Sequence, residues 1–374
     1  MQPVTKLNVI YHDREVGILA KSIEGLYPFE YSDSWLTEGF ALNPLTLPLE
    51  KGVFMPKANP LDGMFGVFND SLPDGWGRLL VDRMIVAQGK TLDSFDALTR
   101  LAIVGHSGMG ALRYEPVYPL KKTDAKSSDL DHLAKECSNL FAEKPLDDLD
   151  ALFSLGGSSG GARPKILTKI DGEDWIVKFR SSQDPSNIGE QEYQYAKCAS
   201  LCGIAMPETR LFPSKVCAGY FGTKRFDRGT QGESVHMVSV SGLLETSHRL
   251  PNLDYKTLMK LTQRLTADMS DLKELFRRMC FNVFAHNRDD HSKNFSFLYN
   301  EEAQTWHLSP AYDLTFSASV QGEHATSIAG NGKNPGESDL LDVAEYAGLS
   351  PRWAQTTAAE IAEQTRDLIT KYQV

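Results

Sequence analysis

Hydrophobic and polar residues recur with different periods in the two ends of the chain. Residues 6–36 alternate in the manner of short antiparallel strands, with a polar turn at 12–14. From Asp254 to Phe284 the apolar residues recur at helical spacing, and the tail from Ser338 to Tyr372 does the same. The pattern predicts a β-rich beginning and a helical carboxyl-terminal part, with an exposed loop at 321–337.

The middle of the chain predicts a smaller mixed region. A glycine- and serine-rich loop at 154–165 leads into a strand, and an apolar strand with a single lysine, Lys178, follows at 174–179. Residues 189–199 have the composition of a helix. The stretches 209–212 and 217–228 predict a hairpin that closes this region.

Three features of the earlier chain are predicted to be structural. Residues 65–77 indicate a loop-rich packing corner around a buried Trp76, with a helix beginning at Arg78. The glycine cluster 105–110 lacks the preceding strand and following helix of a phosphate loop, so we interpret it as a turn. The polar stretch 121–128 predicts a subdomain boundary followed by a helix.

One polar loop between the helical run and the next strand has a recognisable spacing. Asp289 and Asn294 are separated by four residues, with Arg288 just before them. Protein kinases use this spacing because the Asp reaches the hydroxyl to be phosphorylated while the Asn carbonyl points at Mg²⁺. Taken alone the spacing is weak, since turns are rich in Asp and Asn.

Further parts of kinase machinery occur in the expected order. The glycine-rich loop comes first, then Lys178 in its strand, then Glu192 on a helix that can offer a carboxylate to that lysine. Past the predicted hairpin after the polar loop, Asp313 supplies a lone carboxylate where kinases keep a second metal-binding Asp. Such an ordered set favours a kinase over an ordinary polar turn.

Composition and charge limit the binding partners and the cellular location that we expect. The formal net charge of −10 argues against sequence-independent binding of nucleic acid by this chain alone. No run is apolar enough to span a bilayer, and residues 1–6 lack a signal-peptide pattern, so we expect a cytoplasmic protein without membrane contact. The 5 cysteines lack metal-site spacing, and Cys198 and Cys202 are predicted to be buried thiols on one helix face.

Together these residues resemble the HipA-type serine/threonine kinases, the toxins of bacterial toxin–antitoxin modules. The resemblance implies an α+β, bilobal protein-kinase-like fold with an N-terminal α/β subdomain (1–122), a linker helix and small lobe (123–235) and a mainly helical catalytic lobe (236–374). The motifs that carry it are Phe29–Tyr31, Ser71–Asp74, Gly160–Lys165, Arg225–Arg228, Asp289–Ser296 and Pro310–Asp313.

The resemblance also implies which residues carry the chemistry. Asp289 would be the catalytic base, Asn294 and Asp313 would bind Mg²⁺, and Glu192 would pair with the strand lysine. His291 could touch the phosphates, although we favour a structural hydrogen-bonding role for it. The residues expected at ATP are Lys178, Lys165, Ser158, Gly160, Gly161, Lys224, Phe226 and His291.

Within the glycine-rich loop, the resemblance implies a regulatory serine. Ser158, or its neighbour Ser159, would be autophosphorylated, and the added charge would expel the loop and inactivate the enzyme. The best-known members carry Gln-Glu before the loop lysine, whereas this chain has Arg163–Pro164. Because proline lacks an N–H, the detailed phosphate contacts of this loop differ from theirs.

The resemblance predicts an ATP- and Mg²⁺-dependent protein kinase. Its substrate would be another protein, such as an aminoacyl-tRNA synthetase, and its partner a HipB-like helix-turn-helix antitoxin that brings the complex to DNA indirectly. Two alternatives remain open. One is a small-molecule phosphotransferase, which shares the Asp and Asn spacing, and the other is a catalytically silent scaffold that binds an antitoxin.

Overall fold

The computed structural model describes residues 4–118, 129–319 and 322–372, so the predicted boundary segment 121–128 lies outside the described residues. The chain forms two compact units. The first contains Met1–Gly189 and Phe212–Thr246, and the second contains Glu190–Leu211 and Ser247–Val374. The division into two units does not test the predicted division into three parts, whose boundaries stay a prediction.

An antiparallel sheet of five strands opens the first unit. In the strand formed by residues 6–11, Leu7, Val9 and Tyr11 are buried while Lys6 is exposed, as the predicted alternation requires. The predicted strands are therefore confirmed within residues 6–31, whereas residues 33–36, predicted to alternate as a strand, belong to a helix that the Ser32 hydroxyl caps. The five strands of the sheet are β1 (Lys6–Tyr11), β2 (Arg14–Ala20), β3 (Phe29–Tyr31), β4 (Val53–Phe54) and β5 (Leu112–Glu115), in the order β4-β3-β2-β1-β5.

Six α-helices of the first unit precede the glycine-rich loop among the described residues. They are α1 (Asp33–Glu38), α2 (Gly66–Asn69), α3 (Gly75–Ala87), α4 (Ala97–Val104), α5 (Leu130–Phe141) and α6 (Leu149–Gly156).

The corner at 65–77 is more helical than its composition predicts. Helix α3 begins at Gly75, three residues before the predicted start at Arg78, and α2 occupies part of the predicted loop. The buried Trp76 is confirmed. The predicted start was wrong because two glycines in the first turn weigh against a helix in sequence reasoning, whereas tertiary packing holds that turn here.

A second antiparallel sheet follows the glycine-rich loop. Strand β6 (Lys165–Ile170) pairs with β7 (Glu173–Lys178), and β7 pairs with β9 (Tyr220–Lys224). The predicted loop is shorter than expected, because residues 154–156 still belong to α6. Helix α7 (Ile188–Leu201) and strand β8 (Thr209–Phe212) both cross the boundary between the units, and β10 (Met237–Ser239) and α8 (Val240–Leu244) close the first unit.

The second unit is mainly helical, as predicted. It contains β11 (Leu253–Asp254), α9 (Tyr255–Thr266), α10 (Met269–Phe284), the hairpin of β12 (Ser296–Asn300) and β13 (Thr305–Leu308), β14 (Thr326–Ser327), α11 (Glu337–Tyr346) and α12 (Pro351–Tyr372).

The long helical run divides at a specific point. Ala267 adopts a left-handed conformation with φ of 52°, and the Asp268 side chain accepts a hydrogen bond from the main-chain N–H of Ser270 at 2.7 Å. This hydrogen bond caps the N-terminus of a new helix, which starts at Met269. Among the described helices of the chain, none is both long and apolar enough to cross a membrane.

The stretch 321–337 is not simply an exposed loop, and that expectation was wrong. His324, Thr326 and Ile328 are buried, and β14 pairs in parallel with β11. The polar composition of the stretch concealed this, because its buried polar groups find partners inside the second unit.

Candidate active site

The glycine-rich loop, residues 157–164, is tied to its surroundings by its serines. The Ser158 hydroxyl donates to the main-chain carbonyl of Ser107 at 2.8 Å, and the Ser159 hydroxyl donates to that of Gly156 at 2.6 Å. Ser159 is 2% exposed, whereas Ser158 is half-buried. The turn predicted at 105–110 therefore supports this loop, a connection that sequence reasoning missed.

Two lysines mark the sheet at the end of this loop. Lys165, the first residue of β6, lies directly opposite Lys178, the last residue of β7. The Lys165 ammonium group donates to the carbonyl of Gly160 at 2.7 Å. The Lys178 ammonium group lies 5.5 Å from the centre of the Phe221 ring. The structure thus brings the two predicted phosphate-binding lysines together.

Two residues expected at ATP lie at the end of β9, where Lys224 is the last residue of the strand and Phe226 follows it. Lys224 forms an ion pair with Glu173, and Phe226 is half-buried. Between them, Arg225 is buried and donates twice to the Asp227 carboxylate, at 2.9 and 2.7 Å. Arg225 and Asp227 therefore have a structural role. The sequence alone did not distinguish this role from nucleotide binding.

Asp227 is a buried carboxylate that is held charged. Burial alone would raise the pKa of Asp227, but the hydrogen bond and charge of Arg225, together with the charge of Arg228, lower it below its ordinary value. The same carboxylate accepts the N–H of Gly110 at 2.7 Å, and the Gly108 carbonyl accepts from Arg225 at 3.1 Å. These contacts fix the turn that meets Ser158.

The predicted catalytic loop lies in the second unit, after α10. The side chain of Asp289 is 62% exposed. The side-chain amide of Asn294 donates to the main-chain carbonyl of Asp289 at 2.6 Å and so closes the loop on itself. Asn294 is the last residue of a short turn of 3-10 helix, Ser292–Asn294.

His291 has the structural contact that we favoured. Its Nδ1 accepts the main-chain N–H of Lys293 at 3.2 Å, and its ring lies 5.4 Å from that of His248. Because Nδ1 accepts, a neutral His291 carries its proton on Nε2, which lies 3.8 Å from a carboxylate oxygen of Asp289. His291 thus has a hydrogen bond within this loop, and its role stays a prediction.

Asp313 follows the hairpin in an uncommon backbone conformation, with φ of 53°. Its neighbour Tyr312 donates its hydroxyl to the carbonyl of Lys293 at 2.7 Å and lies within hydrogen-bond distance of Ser296 at 2.6 Å. The segment of Asp313 is therefore attached to the loop that carries Asn294. Residues held in sparsely populated conformations concentrate at functional sites.

Asp290 is a residue of this loop that sequence reasoning missed. It is 1% exposed, and its carboxylate accepts from the Tyr255 hydroxyl at 3.0 Å and the Thr326 N–H at 3.1 Å. A third contact of the carboxylate is His324 Nδ1, also at 3.0 Å. The signal was the doublet of Asp289 and Asp290, because neighbouring side chains in a turn point different ways and one of them can be buried.

Glu192, the predicted partner of Lys178, is buried on α7 in the second unit. Their pairing stays a prediction. Within the first unit the structure brings together the glycine-rich loop, Lys165 and Lys178. Within the second it brings together Asp289, His291, Asn294 and the segment of Asp313.

Comparison with protein families identifies the class of this protein. The model of the HipA-like C-terminal domain matches residues 157–369, and that of the HipA N-terminal domain matches residues 7–115. The chain belongs to the HipA family of kinases. This confirms the family that the sequence motifs indicated.

Relatives of known name and structure agree. Two putative kinases of Sinorhizobium fredii are similar to this chain: Y4dM is 25% identical over 391 residues, covering 98% of this chain and 91% of its own length. Y4mE is 25% identical over 346 residues, covering 83% and 77%. A chain of the solved complex of the Shewanella oneidensis toxin–antitoxin system HipA, HipB and its operator DNA matches with a TM-score of 0.70 and 17% identity, over 98% of this chain and 90% of that one. The predicted kinase-like fold class is confirmed.

Proposed function

We propose that this chain is an ATP-dependent serine/threonine protein kinase of the HipA toxin type. The observation that carries the proposal is the closed loop of the second unit, in which Asn294 donates to the carbonyl of Asp289. That bond keeps an exposed carboxylate and an amide oxygen in one short loop. Phosphoryl transfer needs both groups, the first at the attacking hydroxyl and the second at the metal.

The reaction requires positioning and charge neutralisation more than covalent chemistry from the protein. A serine or threonine oxygen of the substrate bonds to the γ-phosphorus of ATP while the bond to the bridging oxygen of ADP breaks. Asp289 accepts the hydroxyl proton. In the first unit, Lys165 and Lys178 bind phosphate oxygens, and Glu192 of the second unit is the proposed partner of Lys178.

Asn294 and Asp313 fit a magnesium site by the chemistry of their donors. Both offer oxygen atoms, which are the ligands that Mg²⁺ takes in proteins. The bond from Tyr312 to the Lys293 carbonyl, at 2.7 Å, keeps the segment of Asp313 beside the loop of Asn294. Bound Mg²⁺ supplies positive charge that offsets the charge of the ATP phosphates.

The remaining predicted residues are assigned around the nucleotide. The main chain at Lys224 and Phe226 is proposed to meet adenine, and the backbone of Gly160 and Gly161 to lie near the phosphates. The Gly161 N–H donates to Asp74 in this structure, so Gly161 acts through its position rather than through that N–H. His291 acts by orienting the catalytic loop.

Autophosphorylation is proposed at Ser158. The half-buried Ser158 is favoured over Ser159, which is 2% exposed and donates its hydroxyl within the same turn. A phosphate adds about −1.5 to −2 charges and cannot keep the hydroxyl's bond to the Ser107 carbonyl. We therefore expect phosphorylation to release the loop and to inactivate the enzyme.

The partners are inferred from the Shewanella oneidensis complex, which contains HipB and operator DNA. We propose a HipB-like helix-turn-helix antitoxin as the partner of this chain, contact with DNA through that antitoxin, and a protein substrate such as an aminoacyl-tRNA synthetase. Because ATP and translation factors are cytoplasmic, we expect the protein to act there.

Release of ADP from ATP by the purified chain tests this function. We expect an initial burst of ADP release with Mg²⁺ before phosphorylation of Ser158 inactivates the chain, no burst with EDTA, and an initial rate at least about 100-fold lower in the Asn294→Ala variant, because the metal then lacks one ligand. Tyr346→Phe, an exposed change in the second unit, serves as the control. Turnover that needs an added metabolite would instead indicate a small-molecule phosphotransferase, and ATP binding without turnover would indicate a silent scaffold.

A further inference from the structure

The first turn of α3 lies directly against the glycine-rich loop. The Asp74 carboxylate accepts the main-chain N–H of Gly161, and the Gly161 carbonyl accepts the N–H of Trp76 at 2.9 Å. The indole N–H of Trp76 donates to the carbonyl of Lys165 at 3.0 Å. A segment 87 positions earlier in the chain thus holds both polar backbone groups of Gly161.

Two glycines make this close approach possible. A methyl group at Gly77 would overlap the carbonyl oxygen of Ser159, and one at Gly75 would overlap that of Gly161. Gly75 also has φ of 44°, which other residues rarely adopt. Glycine inside a helix is unfavourable relative to alanine, so their presence in the first turn of α3 requires a packing reason. The backbone of the loop is that reason.

The contacts extend to the proposed phosphate-binding lysine. Trp76, itself buried, holds the main chain of Lys165, while the Lys165 ammonium group donates to the carbonyl of Gly160 at 2.7 Å. Residues 74–77, which we call the loop-holding corner, therefore fix the loop at its middle and at its end. The corner lies in the part of the chain matched by the HipA N-terminal domain, and the loop lies in the part matched by the C-terminal domain.

We infer that the loop-holding corner positions the glycine-rich loop for nucleotide binding, with Asp74 as a positioning residue and Gly77 as the position that admits the loop. The inference rests on the proposed kinase function. It gives the N-terminal region a part in ATP affinity in addition to any role as a docking domain. A chain whose corner is disturbed populates a displaced loop, and its apparent ATP affinity falls by the fraction displaced.

The test compares Gly77→Ala, Asp74→Ala and Asp74→Asn with the parent protein by two measurements. The first is hydrogen exchange of the peptide covering 157–165, which needs no enzymatic activity. The second is the KM for ATP and kcat, measured separately. Gly336→Ala is the matched control, because a methyl group there meets no atom within 4 Å.

We expect Gly77→Ala and Asp74→Ala to speed exchange in the loop and to raise the KM for ATP about tenfold, with kcat at saturating ATP changed less than about threefold. Asp74→Asn retains an acceptor oxygen, so its KM should stay within about threefold of the parent value. A merely structural corner would lower thermal stability without this division between KM and kcat. Unchanged exchange and KM in Gly77→Ala would overturn the inference.

Two further outcomes are decided by the same design. If Gly77→Ala does not fold, the comparison of Asp74→Ala with Asp74→Asn decides the inference by the same readouts. If the parent protein neither binds nor turns over ATP, the kinase function fails. The hydrogen-exchange measurement alone then tests whether the loop-holding corner holds the glycine-rich loop. Loss of loop protection in both alanine variants supports the corner's positioning role, and retained protection contradicts it.

Discussion

Lys165 lies directly opposite Lys178 in the antiparallel pair of β6 and β7. Directly opposed residues leave the same face of a sheet, where two like charges repel each other. Both side chains are half-buried, which weakens screening by water. We propose that the pair binds phosphate at the end of the glycine-rich loop.

Replacing either lysine should weaken ATP binding. We expect Lys165→Gln and Lys178→Gln each to raise the Kd for ATP about tenfold or more, since each removes a charge-assisted contact to phosphate. Because both lysines would bind the same group, the double variant should lose less than the product of the two effects. Isothermal titration with an ATP analogue measures this, with Lys169→Gln on the exposed part of β6 as control. Additive effects would show that the lysines act separately.

Asp289 and Asp290 are neighbours with opposite expected effects. Asp290→Ala leaves the buried Tyr255 hydroxyl and Thr326 N–H without their acceptor, so we expect a loss of about 3 kcal/mol in the free energy of unfolding. Asp289→Ala removes an exposed side chain, and its unfolding free energy should change by less than about 0.5 kcal/mol. Urea denaturation of both variants checks this. Equal losses would contradict the assignment of separate roles.

A buried histidine should make the stability of the first unit depend on pH. Burial lowers the pKa of His236 to about 4, and its Nε2 lies 2.9 Å from the Leu42 carbonyl. The unfolded chain binds a proton near pH 6.5 that the folded chain does not, so stability is complete above about pH 6.5 and falls by up to about 3 kcal/mol as the pH drops towards 4.

The measurement for this prediction is the unfolding free energy at pH 7 and pH 5. His236→Gln should flatten the difference between the two values, whereas His106→Gln, at an exposed histidine, should keep it. A parent protein with the same stability at both values would contradict a neutral, buried His236.

Much of the fold could be read from the sequence because its periodicities are local. The strand pattern of β1 to β3 and the amphipathic runs of α9 and α10 follow directly from which residues are apolar. The start of α3 could not be predicted, because Gly75 and Gly77 are acceptable in a helix only when the glycine-rich loop packs against them. That contact joins residues far apart in sequence.

The candidate site, like the fold, could be predicted only in part. The spacing of Asp289 and Asn294 was visible because the loop is short and the chemistry fixes its residue types. The support for this loop from Asp290, His324 and Tyr255 was not visible, because its members come from three distant segments of the second unit. The polar stretch that carries His324 even suggested an exposed loop.

We propose above all that Asp289 enables transfer of phosphate from ATP to a hydroxyl. The most direct test incubates the purified protein and its Asp289→Ala variant with Mg²⁺ and ATP, and then maps phosphate by mass spectrometry on the peptide from Gly156 to Lys165. We predict phosphate on Ser158 in the parent protein and none in the variant. Phosphate on the variant, or its absence from a parent protein that binds ATP, would contradict the account.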